Sequence, residues 1–370
     1  MSQPKPLRVI IAGGGTGGHV FPAIAIANAI RAKVFNAQIL FVGAKGRMEM
    51  QKVPAAGYHI IGLNIAGLQR RLTWKNLLVP FKVVDSMVRS KNIVKRFRPD
   101  VVIGVGGYAS GPLVRAAAKL GVPTLIQEQN SYAGLTNRLL AKKVDKICVA
   151  YEGMERFFPR EKIFLTGNPV RHDILAAGDK RDEALAYFNL SPNKKVVLVV
   201  GGSLGAFSVN EAVRNSLKLL LYNDVQLIWQ TGKWYHSTAL EVCTGMEKLG
   251  LSINAFIDRM DLAYAASDLV VSRAGAIAVS EICALQKPAI LIPSPNVAED
   301  HQTKNAMALV NINAAVLIPD KDAFSLLGPA IIDLIFDEDK IFKLKEKITR
   351  MSYRDAANNI AGVALGLVKS

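Results

Sequence analysis

Short apolar runs and helix-like stretches alternate along the whole chain. Residues 7–12, 38–42, 101–105, 124–127 and 146–149 are apolar runs bounded by turn-forming residues, and such runs read as buried strands. Residues 22–32 and 111–120 lie between them with helical spacing, the signature of βαβ units on a parallel sheet. The pattern restarts at 195–200, followed by Gly201-Gly202-Ser203-Leu204-Gly205-Ala206 and a helix over about 208–221. Further strands are predicted at 225–230, 253–256, 269–272, 289–292 and 314–317, and a last helix-like stretch at about 340–368. Gly167-Asn168-Pro169 reads as a turn. It divides the chain into residues 1–168 and 169–349, with residues 350–370 expected to pack back on the first part. A length of 370 residues agrees with two domains.

Composition narrows the class. Half the residues are hydrophobic and 21% are charged, which supplies a large core and excludes disorder. No stretch of about 18 consecutive apolar residues occurs, so no membrane-spanning helix is expected. The opening MSQPKPLRVIIAGG lacks the apolar centre of a signal peptide. Cys148, Cys243 and Cys283 are odd in number and widely spaced, which excludes a disulfide framework or a zinc cage and fits a reducing compartment. Lysine and arginine number 46 against 30 acids, a net charge of +16 that points to an anionic partner. No aromatic-rich basic platform accompanies the charge, so nucleic acid is not the expected partner.

Three glycine-rich loops follow predicted strands. The first, Gly13-Gly14-Gly15-Thr16-Gly17-Gly18-His19, opens a helix, where backbone N–H groups and the helix end can meet a phosphate. A dinucleotide site would need an acid at the end of the second strand, which here ends Phe41-Val42-Gly43. The others are Gly104–Pro112 and Gly201–Ala206. Any one alone is a tight βα turn. Three at strand C-termini, in two similar halves, point to a ligand-binding cleft.

Single residues add chemistry. His19 sits on a glycine loop at a helix N-terminus, where a neutral imidazole can act as a base; the alternative is a histidine that packs the turn. Ala276, Ile277, Ala278, Val279, Ser280 and Glu281 form the first turns of a helix after a strand and a small-residue loop. Glu281 can accept from two vicinal hydroxyls of a ribose, or be a solvated helix carboxylate. Gln302 offers donor and acceptor together, which suits sugar hydroxyls, or is an ordinary first-turn residue. Asp320 and Asp322 resemble a metal-binding pair, but Asp322 more simply reads as an N-cap. No metal site is expected.

Several segments, in order and over nearly the whole chain, resemble the MurG family of bacterial UDP-N-acetylglucosamine:lipid I N-acetylglucosaminyltransferases. They are GGGTGGHVFPAIAIANAI (13–30), GVGGYASGP (104–112), EQNSYAGLTNR (128–138), GNPVR (167–171), GGSLGA (201–206), FIDRM (256–260), SRAGAIAVSE (272–281) and DHQTKNA (300–306). The resemblance implies a GT-B fold, two Rossmann-like domains facing across a cleft, and metal-independent transfer with inversion and no cofactor. It implies that Arg171 and Ser203 contact the diphosphate, Ile257 offers backbone bonds to uracil and Glu281 holds the ribose. It implies further that residues 276–281 and Gln302 surround the GlcNAc and phosphates, and that Thr16, Gly17, Gly18 and Asn130 complete the donor site. Some members carry two glutamines where this chain has His301-Gln302. His19 is the candidate general base for the acceptor's 4-hydroxyl.

The implied partners are UDP-GlcNAc, lipid I, an anionic membrane surface and other cell-wall synthesis proteins, at the cytoplasmic face of the bacterial plasma membrane. Competing readings are a diacylglycerol glucosyltransferase, a UDP-GlcNAc 2-epimerase, or a non-enzymatic nucleotide- or nucleic-acid-binding protein. The membrane contact is expected in residues 68–82, which mix apolar and basic side chains. There Thr73 reads as an N-cap and Pro80 as a kink, with Trp74, Leu77, Leu78, Phe81, Val84 and Val88 near helical spacing. Nine basic residues and one acid, Asp85, lie between Arg70 and Arg98. The plainer reading is a core-facing helix with a solvated basic face.

Overall fold

A computed structural model describes residues 5–65, 79–176, 178, 180–246 and 249–368. In chain order it gives β1 (Arg8–Ala12), α1 (Gly17–Lys33), β2 (Gln38–Ala44), α2 (Glu49–Ala55), β3 (His59–Leu63), α3 (Val79–Phe97), β4 (Val101–Gly104), α4 (Ser110–Lys119), β5 (Thr124–Glu128), α5 (Leu135–Leu140), β6 (Lys146–Val149) and β7 (Ile163–Leu165). Next come α6 (His172–Leu175), α7 (Arg181–Tyr187), β8 (Val196–Val200), α8 (Phe207–Tyr222), β9 (Gln226–Gln230), α9 (His236–Val242), β10 (Leu251–Asn254), α10 (Met260–Ala266), β11 (Leu269–Ser272) and α11 (Ala276–Ala284). The rest are β12 (Ala289–Leu291), α12 (His301–Val310), β13 (Val316–Leu317), α13 (Ala323–Ile335), α14 (Glu338–Thr349) and α15 (Ala356–Leu365).

These elements form two units. The first is Met1–Arg171 with Asp355–Ser370; the second is His172–Arg354. The first holds a seven-stranded sheet in the order β3-β2-β1-β4-β5-β6-β7, the second a six-stranded sheet ordered β10-β9-β8-β11-β12-β13. Every pair is parallel. The order reverses between β1 and β4 and again between β8 and β11, the switch points at which doubly wound sheets bind ligands. Parallel strands are covered on both faces, so they read as continuous apolar runs. In the first unit Val9, Ile11 and Ile103 pack under α1, while Ile10, Val102 and Ile126 pack with Leu113 and Val114 of α4. Ile360, Ala361 and Ala364 of α15 complete the α1 side. In the second unit Val197, Val199 and Val271 pack with Val213 and Leu217 of α8 and Leu327 and Ile331 of α13.

Several expectations are corrected. The strand expected at 253–256 is Leu251–Asn254, because its ladder pairs Leu251 with Leu227 and Asn254 with Gln230; Phe256 lies beyond it, exposed. The stretch 340–368 is two helices: α14 buries Leu344 with the second unit's core, whereas α15 buries Ile360 in the first. Asp322 stands at the N-cap position of α13 but in helical dihedrals and without a capping bond. The capping carboxylate is Asp337, which accepts from the Lys340 N–H at 2.9 Å. Edge strands β3 and β7 were not expected. Pro80 falls in the first turn of α3, where no bond within the helix is lost. Residues 66–78, with Thr73, Trp74, Leu77 and Leu78, lie outside the described residues.

One lysine makes the second unit sensitive to pH. Lys287 precedes β12, at the end of the sheet away from the strand C-termini, and its ammonium donates to the Ser267 carbonyl at 2.7 Å. Burial lowers its pKa to about 8, with Asp268 pulling the other way. A lysine depressed in the folded state binds fewer protons there than when unfolded, so stability should rise between about pH 8 and 10.5, by up to about 3 kcal/mol. Denaturant unfolding of wild type and Lys287→Met at pH 7.5, 9 and 10 checks this. The wild type should gain on the variant as pH rises, and a constant gap would contradict the assignment. Cysteine and tyrosine contributions are common to both proteins and cancel.

Candidate active site

In the second unit the C-terminal ends of β8, β11 and β12 surround a cavity of about 550 Å³. Its wall includes Gly201, Gly202 and Ala206 from the β8–α8 turn, Ser208 in the first turn of α8, Arg273, Gly275 and Ala278 around the start of α11, and Ser294, Gln302 and Asp320 beyond β12. Helices α8 and α11 begin at this wall with no acid in either first turn. Their first N–H groups have no partner within the helix, and the helix ends carry partial positive charge. Such an arrangement takes an anion.

The loops are locked by close packing. The β8–α8 turn closes with Gly205 N–H donating to Gly202 O at 3.0 Å. Gly205 has φ +79°, and a Cβ there would collide with the Thr231 carbonyl. Gln230 ties this turn to the next: its Nε2 donates to Gly202 O, and its Oε1 accepts from Ile257 N–H, both at 2.9 Å. The Ile257 N–H is therefore engaged, and the group Ile257 can present to a base is its carbonyl.

Charge in the wall is arranged around Arg273. Its guanidinium donates to Asp320 Oδ1 at 2.5 Å, to Ser208 Oγ at 2.9 Å, and to the carbonyls of Ile292 and Pro293. Ser208 donates to the same Asp320 oxygen at 2.6 Å. Asp320 thus serves an ion pair.

The expected residues are distributed as follows. Ala278 and Gln302 line the cavity. The Gln302 Oε1 accepts from Ser294 N–H at 2.8 Å, so the group its amide can offer a ligand is the Nε2 donor. Asn305 holds the α11 entry by donating to Ala274 O. Glu281 is part-buried and accepts from the Tyr264 hydroxyl at 3.0 Å. Tyr264 is buried, and burial together with the Glu281 charge holds its pKa well above the usual value, so it stays a donor. Ser280 donates back to Ala276 O. Ala276 and Ile277 are half-buried in the first turn of α11. Val279 is not brought to the cavity, since its side chain is in the core and its N–H bonds Gly275 O. Ser203 is on the exposed tip of its turn. Arg171 is the last residue of the first unit's main segment.

In the first unit the glycine loops after β1 and β4 interlock. A Cβ on Gly107, whose φ is +80°, would collide with the Gly14 carbonyl. His19 occupies the third position of α1; its Nδ1 lies 3.3 Å from Thr16 Oγ1, and its ring packs on Gly106, where a Cβ would lie 2.8 Å from Nε2. Gly17 and Gly18 open the helix beside it, and Thr16 is exposed at the N-cap. Asn130 is oriented by buried Glu128, whose carboxylate accepts from the Asn130 N–H and Nδ2, from Gly134 N–H and from Asn137 Nδ2 at 2.9–3.2 Å. Sequence reasoning assigned no part to Glu49, Glu128, Gln230, Tyr264 or Ser208, nor to Arg273. Arg273 and Glu128 lie inside quoted motifs, which was the available signal.

Comparison with known proteins agrees with this architecture. Residues 9–149 match the glycosyltransferase family 28 N-terminal domain, and residues 196–360 match the glycosyltransferase family 28 C-terminal domain. The chain is 54% identical, over 96% of its length and 97% of the relative's, to the UDP-N-acetylglucosamine--N-acetylmuramyl-(pentapeptide) pyrophosphoryl-undecaprenol N-acetylglucosamine transferase of Parabacteroides distasonis. The protein of that name from Flavobacterium psychrophilum is 51% identical over 98% of each chain. The crystal structure of Acinetobacter baumannii MurG superposes with a TM-score of 0.77 at 28% identity, covering 98% of this chain and 100% of that one. Near-full-length identity above half, and both domain matches in order, establish that the chain belongs to the MurG family of N-acetylglucosaminyltransferases, with the GT-B fold of two parallel-sheet domains.

Proposed function

We propose that the protein transfers GlcNAc from UDP-GlcNAc to the 4-hydroxyl of MurNAc in lipid I, with inversion, to give lipid II for peptidoglycan. The observation that carries this reading is the cavity of the second unit, where two helix N-termini converge and Glu281 stands on one of those helices. The second unit is then the donor domain. UDP leaves as C1 of the sugar is attacked, and the developing diphosphate charge is met by the N–H groups of the α8 and α11 first turns, with Arg171 as a countercharge. Glu281 accepts from the ribose hydroxyls, the Ile257 carbonyl faces the base, and the Gln302 amide donates to the sugar. The first unit carries the acceptor chemistry. As the new C1–O4 bond forms and the C1–O bond to the diphosphate breaks, His19 takes the proton from the 4-hydroxyl, while Thr16, Gly17, Gly18 and Asn130 complete the donor site.

Incubation with labelled UDP-GlcNAc and lipid I tests this directly. The label should enter the lipid-linked product only when lipid I is present. Conversion of UDP-GlcNAc alone would instead identify a 2-epimerase, and transfer from labelled UDP-glucose to added diacylglycerol in a parallel incubation a lipid glucosyltransferase. Turnover should persist in excess EDTA, because the leaving-group charge is assigned to N–H groups and Asp320 is committed to Arg273. Inactivation by EDTA reversed by Mg²⁺ or Mn²⁺ would contradict this.

The lipid-linked acceptor places the enzyme, on this reading, at the cytoplasmic face of the plasma membrane. No helix among the described residues is long and apolar enough to cross a membrane, so the attachment proposed is peripheral. The basic, apolar sequence of residues 68–82 remains the proposed membrane-binding segment. It continues into α3, where Val84 and Val88, one turn apart, are 63% and 54% exposed. Anionic headgroups add about 1 kcal/mol per nearby Lys or Arg. Co-sedimentation should rise with the anionic fraction of the vesicles and fall with salt. The pair Trp74→Ser with Phe81→Ser should abolish it; binding indifferent to both would exclude the segment.

A further inference from the structure

Glu49 is the first residue of α2, five positions beyond the end of β2, and its side chain is only 1% exposed. A carboxylate this deep must find donors. It has two: Oε2 accepts from the Gly15 N–H and Oε1 from the Ala44 N–H, both at 2.9 Å. Both β-strand exits make room for it. A Cβ on Gly14 would collide with its carboxylate, and a Cβ on Gly43 would lie 2.5 Å from its Cγ. The carboxylate therefore staples the turn after β1 to the end of β2. It does so one residue before Thr16, the N-cap of α1, whose Oγ1 lies beside His19 Nδ1.

We propose that Glu49 is a positioning residue for the reaction: it fixes the Gly13–His19 loop so that the His19 ring is held ready for the acceptor hydroxyl. The Gly15 amide, which a phosphate-cradling loop would turn toward its ligand, is turned toward Glu49 instead. Gly14 of this loop serves both the entry of this carboxylate and the interlock with Gly107. A charged hydrogen bond to two amides gives a stiffer anchor than a neutral one. Misplacement of a catalytic group by about 1 Å is enough to cost about 10²-fold in rate. The inference rests on the reading of His19 as the base.

The test is a double-mutant cycle on the full chain, with kcat and KM measured against UDP-GlcNAc and lipid I. Glu49→Gln keeps the shape but replaces one acceptor oxygen by an NH₂ that faces an N–H. It should lower kcat by roughly 10- to 100-fold and move the KM for UDP-GlcNAc by less than about threefold. In the His19→Ala background the same change should alter kcat by less than about threefold, since its effect passes through the imidazole. Gly43→Ala, which crowds Glu49 without removing its charge, should repeat the pattern and serves if Glu49→Gln does not melt cooperatively. An equal loss of kcat in both backgrounds, or an unchanged kcat in folded Glu49→Gln, overturns the proposal while leaving His19 as base. A loss of less than tenfold in His19→Ala itself overturns both.

Discussion

His19→Ala is expected to lower kcat by about 10²–10⁴ while the protein remains folded, the range general-base catalysis supplies. The imidazole is half-buried at the third position of α1 and lies against the backbone of Gly106 and the hydroxyl of Thr16. Its removal deletes one ring from the rim of a loop, not from the sheet's core. The melting temperature should therefore stay within a few degrees of wild type. The measurement is kcat at saturating donor and acceptor, with UDP affinity as a check on the second unit. A folded variant that loses less than tenfold would show the histidine to be a packing residue of the turn.

The next largest effect is expected at Glu281. A hydrogen bond to a charged group contributes about 1.5–3 kcal/mol, so Glu281→Ala should weaken UDP binding by roughly 10- to 150-fold for each ribose hydroxyl the carboxylate holds. Removing the carboxylate also leaves the buried Tyr264 hydroxyl without this acceptor, which confounds a simple loss of affinity. Comparing UDP with 2′-deoxy-UDP by calorimetry separates the two effects. In the wild type the deoxy ligand should bind more weakly, and in Glu281→Ala the two should bind alike. If the variant binds UDP as the wild type does, or keeps its preference for the 2′-hydroxyl, Glu281 does not hold the ribose.

The fold was legible wherever a run of apolar residues is buried on both faces. The strand at Lys146–Val149 and that at Leu269–Ser272 coincide with their apolar runs because every side chain there is covered or nearly so. Edge strands are different. In β7, Phe164 and Leu165 are exposed, and β3 is a short run broken by Gly62, so neither carries the full apolar signal. The break between α14 and α15 has no glycine or proline to announce it; the two helices belong to different cores, and that is a tertiary fact. Motif spacing brought Ala278 and Gln302 to the cavity wall. It could not reveal Glu49, a carboxylate between two methionines, or Tyr264, set among alanines in α10, because both act through partners distant in sequence. Val279 was misplaced for the opposite reason: it lies inside a motif but on the face of α11 that turns to the core.

The return of α15 to the first unit has a consequence for how the chain is made. Ile360, Ala361 and Ala364 fill the surface over α1 that the first 171 residues leave open. A ribosome delivers those residues only after the whole of the second unit. During synthesis the first unit must therefore wait with an apolar flank uncovered, while the second, whose strands and helices are contiguous in sequence, can close as soon as it emerges. The later-made half is therefore the one equipped to finish first.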